Sequence, residues 1–247
     1  MIGTLDASEL PASPPRWPQQ IDLLLRDRHA MLAKIAGGGE IPAITRTMVV
    51  TIAVTMAIVG AALGSYRGGV QIAYAAIKLP LVLLGTAALS APVLSAIGAA
   101  LGRRSRLTAD IALVIAALAF GALLLTACTP LIVLMRALDA SYHQVILAVV
   151  GMFAFAGLAS LKMIVSAVTR EAAPGGRSAI AALCIVFVLV GGQLSWALRP
   201  YLVRPRTPDV PFVREVEGSL LDAVTGALRS ARGIYVRSEA PLPERTP

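Results

Sequence analysis

The sequence predicts an all-α fold, a polytopic transmembrane helical bundle of about five spans with amphipathic N- and C-terminal flanking helices. Of 247 residues, 57% are hydrophobic and only 15% charged, and the mean hydropathy is +0.76, which lies outside the balance of a soluble domain of this length. Several apolar runs reach the roughly 20 residues that cross about 30 Å of hydrocarbon at 1.5 Å per residue. The segments between them are short, which makes sequential helices antiparallel neighbours in a compact bundle.

Residues 1–18, ending PASPPRWP, are rich in proline and small polar residues and are read as a disordered N-terminal tail. Over 19–36 the apolar residues Ile21, Leu24, Leu25, Leu32 and Ile35 recur at helical spacing, with Arg26, Asp27 and Lys34 elsewhere on the wheel. That segment is an amphipathic helix ended by Gly37-Gly38-Gly39. It either lies in the headgroup layer or packs on the protein's own face. Five spans follow within 47–198: 47–65, 76–101, 111–135, 145–168 and 179–198. Beyond them, Trp196-Ala197-Leu198-Arg199-Pro200-Tyr201 closes the last span with belt aromatics and an arginine. Residues 199–237 form a proline-rich and amphipathic extramembrane tail, in which Leu220, Leu221, Val224 and Leu228 mark one side of a second amphipathic helix. Residues 238–247 are expected to be disordered.

The net charge is +8, but the arginines sit in short clusters between apolar runs and in the tail, without the basic stripe and interleaved aromatics of a nucleic-acid binder. Their expected partner is anionic lipid, and no nucleic acid is expected. Arg26, Arg28, Lys34 and Arg46, then Arg103, Arg104 and Arg106, then Arg170 and Arg177 fall on one side, against Arg67, Lys78 and Arg136 on the other. That bias puts the N-terminus of a multi-pass protein in the cytoplasm. Arg199, Arg204, Arg206 and Arg214 run against it. No cleavable signal is expected, because the first apolar run starts near Thr47. Cys128 and Cys184 lie at opposite depths, on the order of 20 Å apart at 1.5 Å per residue, too far for a disulfide.

The second span is the best functional candidate. Pro80 falls near its start, whereas Pro92 lies inside it and frees the carbonyl of Ala88, so a bend or break is expected there. Lys78, Thr86, Ser90 and Pro92 are the candidate helix-break or transport site; Thr86, Ser90 and Ser95 are within reach of freed backbone groups. Bending alone accounts for the same residues more simply. Lys78 and Lys162 stand near span ends and are expected to snorkel to the headgroups. Asp110 is placed to pair with Lys162 or the Arg103, Arg104 and Arg106 loop, or simply to favour the positive end of a helix. Gly60 with Gly64 and Gly98 with Gly102 repeat one GAALG pentapeptide, a small-residue pattern that brings helix backbones together within a bundle or between protomers.

No catalytic constellation is found: the only histidines are His29 and His143, and HExxH, GxSxG, a phosphate loop and a metal-ligand cluster are all missing. Neither enzymatic activity nor a cofactor or metal is expected. The Ile77-Lys78-Leu79-Pro80 opening with Thr86 and Pro92, the Trp196–Tyr201 close and the later Phe212-Val213-Arg214 resemble a group of uncharacterised polytopic bacterial membrane proteins. More remotely, five spans behind an N-terminal cytoplasmic segment are similar to the Yip-domain membrane proteins, associated with vesicle trafficking in eukaryotes, a likeness of architecture that carries over neither function nor site residues. The expected function is a scaffold or accessory subunit of a membrane assembly, with lipids, other membrane proteins or a second copy as partners. A small transporter or channel component and a lipid-binding or membrane-shaping protein are the alternatives.

Overall fold

The structure, a computed structural model, describes residues 17–100, 107–140, 142–171, 177–197 and Phe212. Among them are seven α-helices and no strand: α1 (Trp17–Arg26), α2 (Arg28–Ala36), α3 (Ile41–Gly64), α4 (Gln71–Ala100), α5 (Leu107–Ala137), α6 (Tyr142–Glu171) and α7 (Arg177–Ala197). Helices α3 to α6 are each long and apolar enough to cross a membrane, and α7, coincident with the fifth expected run, carries the apolar stretch Cys184–Ser195. The chain is an all-α, multi-pass integral membrane protein.

The helices outrun the apolar stretches that announce them. Thus α3 begins at Ile41 where its apolar run begins near Thr47, and α4 begins at Gln71 where its run begins near Ala76. Hydropathy marks the part that sits in hydrocarbon, whereas backbone hydrogen bonding continues into the headgroup layer as long as no residue stops it. A turn stops α3: Gly68 and Gly69 take φ of +86° and +62°, which reverses the chain within 65–70.

The 19–36 segment is two helices rather than one. Asp27 leaves helical geometry at φ −134°, ψ 74°, and its carboxylate accepts from the backbone N–H of Ala30 at 3.0 Å, so it caps α2 while α1 ends before it. Trp17 and Pro18, expected in the tail, already belong to α1. Both helices pack on the bundle: Leu24 and Met31 are fully buried and Ile35 nearly so, with α2 lying on α5 and α1 on α3 and α5. The Arg28 guanidinium stands 5.7 Å from the ring centroid of Phe120 on α5, a cation–π contact that helps to seat α2.

At the centre stands α5. Every residue from Ala112 to Ala122 is buried, so the helix is apolar all round because it has neighbours all round. It packs against α3, α4 and α6, while α3 and α4 form an antiparallel hairpin. The outer helices are apolar on both faces for another reason: on α3, Met48, Ile52, Met56 and Val59 point inward, while Val50, Val54 and Ile58 are exposed in a stripe at spacing four. Such a stripe requires lipid as its solvent.

From α3 to α7 consecutive helices touch, but for α7 the preceding helix is the lesser partner. Helix α7 packs mainly on α4 and only lightly on α6, which lies on α5. Shape complementarity decides this: the Leu194 side chain sits over Gly85 of α4, and Thr86 faces Gly191 of α7, so large and small residues interlock along an antiparallel contact. The 198–211 and 213–247 portions of the tail, and the arginines and amphipathic helix assigned to them, lie outside the described residues.

Candidate functional site

Helix α4 is one continuous helix from Gln71 to Ala100 with both prolines inside it, a continuity that a bend at Pro92 also satisfies. Each proline removes one backbone donor, and the hydrogen bonds on either side of it suffice to keep a packed helix continuous. Pro80, expected in the first turn, lies well inside the helix because α4 starts at Gln71. The four candidate residues also do not converge. Lys78, Thr86 and Ser90 are buried on the inner face, Pro92 is exposed on the outer one, and Lys78 and Ser90 are roughly 18 Å apart along the axis at 1.5 Å per residue.

Each of the three buried residues has its own surroundings. The Thr86 hydroxyl donates back to the carbonyl of Val82 at 2.7 Å, one turn earlier, and not to a carbonyl freed by proline. The same habit recurs through the spans: Thr51 donates to Thr47, Thr126 to Ala122, Thr129 to Leu125 and Ser160 to Ala156. Ser90 is 1% exposed, beside Ala87, Ala91 and Leu94 of its own helix, and its Oγ has no hydrogen-bond partner. A buried hydroxyl without a partner costs more than the methyl-sized side chain that would replace it. Ser90→Ala is therefore expected to leave thermal stability in detergent unchanged or to raise it by up to about 1 kcal/mol, a result that a clear loss of stability would contradict.

Lys78 does not snorkel. It is 0% exposed, in register with the buried Gln71, Ala75, Val82 and Thr86. Its Nζ stands 5.0 Å from the ring centroid of Phe212, and that ring meets Tyr74, one turn before Lys78, edge to face at 5.1 Å. A residue from beyond the last helix thus covers the lysine at the end of α4 where α7 finishes. Lys78 stands near the start of an apolar run, which is why it is expected at the headgroups; neither its burial nor its partnership with Phe212 carried a local signal.

On the small-residue faces the structure is specific. A Cβ at Gly60 would lie 2.6 Å from the Ala75 carbonyl carbon and 2.8 Å from the Cα of Ala76; one at Gly64 would lie 2.6 Å from the Cα of Ile72. Here the α3 and α4 backbones touch, and the pair is spent inside the hairpin. Gly121 of α5 plays a similar part against Ser160 and Ala156 of α6. Gly98 is buried near the end of α4, and Gly102 lies outside the described residues. Asp110 is fully buried in the first turn of α5, whereas Lys162 is exposed on α6, so the two are not brought together. Arg103, Arg104 and Arg106 are outside the described residues. Cys128 and Cys184 are free thiols. Among the described residues no group of three or more His, Cys, Asp or Glu could hold a metal ion.

The second polar locus, not anticipated from the sequence, is a cavity of about 170 Å³ between α1, α2 and the start of α3, bordered by Gln20, Lys34 and Glu40. In comparison with known proteins, the chain matches no family model, no curated protein and no solved structure.

Proposed function

We propose that this chain is a non-enzymatic scaffold or accessory subunit of a membrane assembly, and that it holds a partner's transmembrane helix against α6. One contrast supports this reading. The glycines of α3, α4 and α5 at positions 60, 64, 85 and 121 each have a neighbouring helix where a side chain would be, and Gly191 of α7 lies in contact with Thr86. On α6, Gly151 and Gly157 are exposed, with nothing within 4 Å of a Cβ at either position. Ala154 is exposed between them, and Val150, Phe155 and Leu158 flank them, 59–67% exposed.

Glycine inside a helix costs about 1 kcal/mol relative to alanine, and a lipid-facing surface gains nothing from it. A closely approaching helix does, because small residues admit its backbone while Phe155 and Leu158 grip its sides. The charge bias of the segments between spans supports placing the N-terminus in the cytoplasm, and the resemblance to polytopic bacterial membrane proteins is what favours a bacterial inner (plasma) membrane.

The test is affinity purification in mild detergent with mass spectrometry and native sizing, on the wild type and on Ala154→Leu. The wild type is expected to bring down a reproducible membrane protein or a second copy, and the variant to lose it while keeping its own thermal stability. A lone monomer from both sinks the proposal and would put reconstituted transport assays first.

A further inference from the structure

Four polar residues line the cavity between α1, α2 and the start of α3: Gln19, the buried Gln20, and the exposed Lys34 and Glu40; the last three differ in character and carry the argument. Gln20 is 3% exposed, one turn before the fully buried Leu24, in a register that would otherwise demand an apolar residue. Its Oε1 accepts no hydrogen bond. A buried amide oxygen left in that state costs about 1–3 kcal/mol.

Glu40 follows three glycines yet itself takes the left-handed conformation, φ 57°, ψ 18°, which a glycine would adopt without strain. It occupies the N-cap position of α3, but its carboxylate makes no capping hydrogen bond. Lys34, in the last turn of α2, brings an ammonium to the same cavity. The ion pair found among the described residues joins Arg26 to Asp22, so neither Lys34 nor Glu40 is consumed by one. The remaining walls are Gln19 and the apolar side chains of Leu23, Met31 and Ile44.

An acceptor and a carboxylate beside an ammonium call for a ligand of both signs. A simple anion would meet Glu40, and a simple cation would meet Lys34. A primary ammonium joined by a short spacer to a phosphate satisfies all three: its N–H groups donate to Glu40 and to Gln20 Oε1, and the phosphate takes Lys34. The volume, about 170 Å³, is the share of roughly five or six waters at about 30 Å³ each, enough for such a group. Depth fits as well, because Ile44 lies just before the apolar run of α3 and the cavity therefore sits at the boundary layer.

We propose that this cavity binds a phosphoethanolamine group, carried either by a membrane phospholipid or by a free small molecule. The purified full chain is tested by native mass spectrometry with phosphatidylethanolamine and phosphatidylglycerol, and by calorimetry with free phosphoethanolamine. Phosphatidylethanolamine or the free compound is expected to bind about tenfold more tightly than phosphatidylglycerol, and Gln20→Leu, Glu40→Gln and Lys34→Met are each expected to weaken binding by about tenfold. Glu40→Gln keeps the backbone and side-chain shape, so its thermal stability should match the wild type and separate loss of the site from loss of the fold. Binding of the lipid alone assigns the site to the membrane; binding of the free compound as well assigns it to the phosphoethanolamine group itself. Equal retention of the two lipids with no binding of free phosphoethanolamine, or binding that none of the three variants alters, overturns the proposal.

Discussion

Gly60→Ala is expected to destabilise the protein by about 3 kcal/mol, and Gly60→Leu to prevent the native bundle from forming. The added Cβ would fall 2.6 to 2.8 Å from backbone atoms of Ala75 and Ala76, and backbone cannot swing aside as a side-chain tip can. Helices α3 and α4 must therefore separate, and with them goes the close contact at Gly64, one turn along. Helix propensity alone would predict the opposite sign, since alanine is the better helix former by about 1 kcal/mol. Gly151→Ala provides the control: its Cβ meets open space, so it should leave stability unchanged or raise it slightly. Thermal unfolding in one detergent, read by near-UV dichroism or by loss of monodispersity, compares the two directly. Equal behaviour of the two alanine variants would show that α3 and α4 are not in backbone contact.

Phe212→Ala is expected to uncover Lys78. In the wild type the lysine is 0% exposed beneath the Phe212 ring, and Tyr74 holds that ring edge-on. Removing the ring takes away one cation–π contact and one aromatic pair, together about 1–3 kcal/mol of the attachment of this part of the tail to α4. The readout is modification of Lys78 by a water-soluble amine reagent, mapped by mass spectrometry. Protection in the wild type, at least tenfold faster modification in Phe212→Ala and recovery in Phe212→Trp is the expected pattern. Comparable labelling of the wild type and Phe212→Ala would mean that the ring does not cover the lysine.

The elements most legible in the sequence were those specified by a single long segment. Each apolar run found its helix, with starts displaced toward the N-terminus because hydropathy reads the solvent around a helix while hydrogen bonding defines its ends. The break within 19–36 was harder to see, since Asp27 reads equally as a polar position on one amphipathic wheel and as the cap of a second helix. Pro92 by itself left a bend and a break both open for a related reason. A proline is a strong local signal, but whether its lost hydrogen bond becomes a break depends on how tightly neighbours hold the two halves, and α4 is gripped by α3, α5 and α7.

The candidate site was legible only in pieces. Lys78, Thr86 and Ser90 share a buried face, as their spacing allows, but spacing along one helix could not say that Phe212 covers the first, that Gly191 of α7 faces the second and that the third hydroxyl has no partner. Gln20, Lys34 and Glu40 belong to three successive helix segments, and nothing local distinguishes them from ordinary surface polar residues.

By itself, then, the sequence determined that this chain is helical, belongs in a membrane and crosses it several times, because those properties depend on composition and on periodicity along one segment, which a linear text records. Tertiary structure alone decided that α5 is the central helix, that α7 packs more on α4 than on α6, that Gly60 and Gly64 are spent within a hairpin while Gly151 and Gly157 face outward, and that Lys78 is enclosed. Those outcomes depend on which surface meets which, a pairwise fit between residues far apart in the chain that no window on the sequence contains.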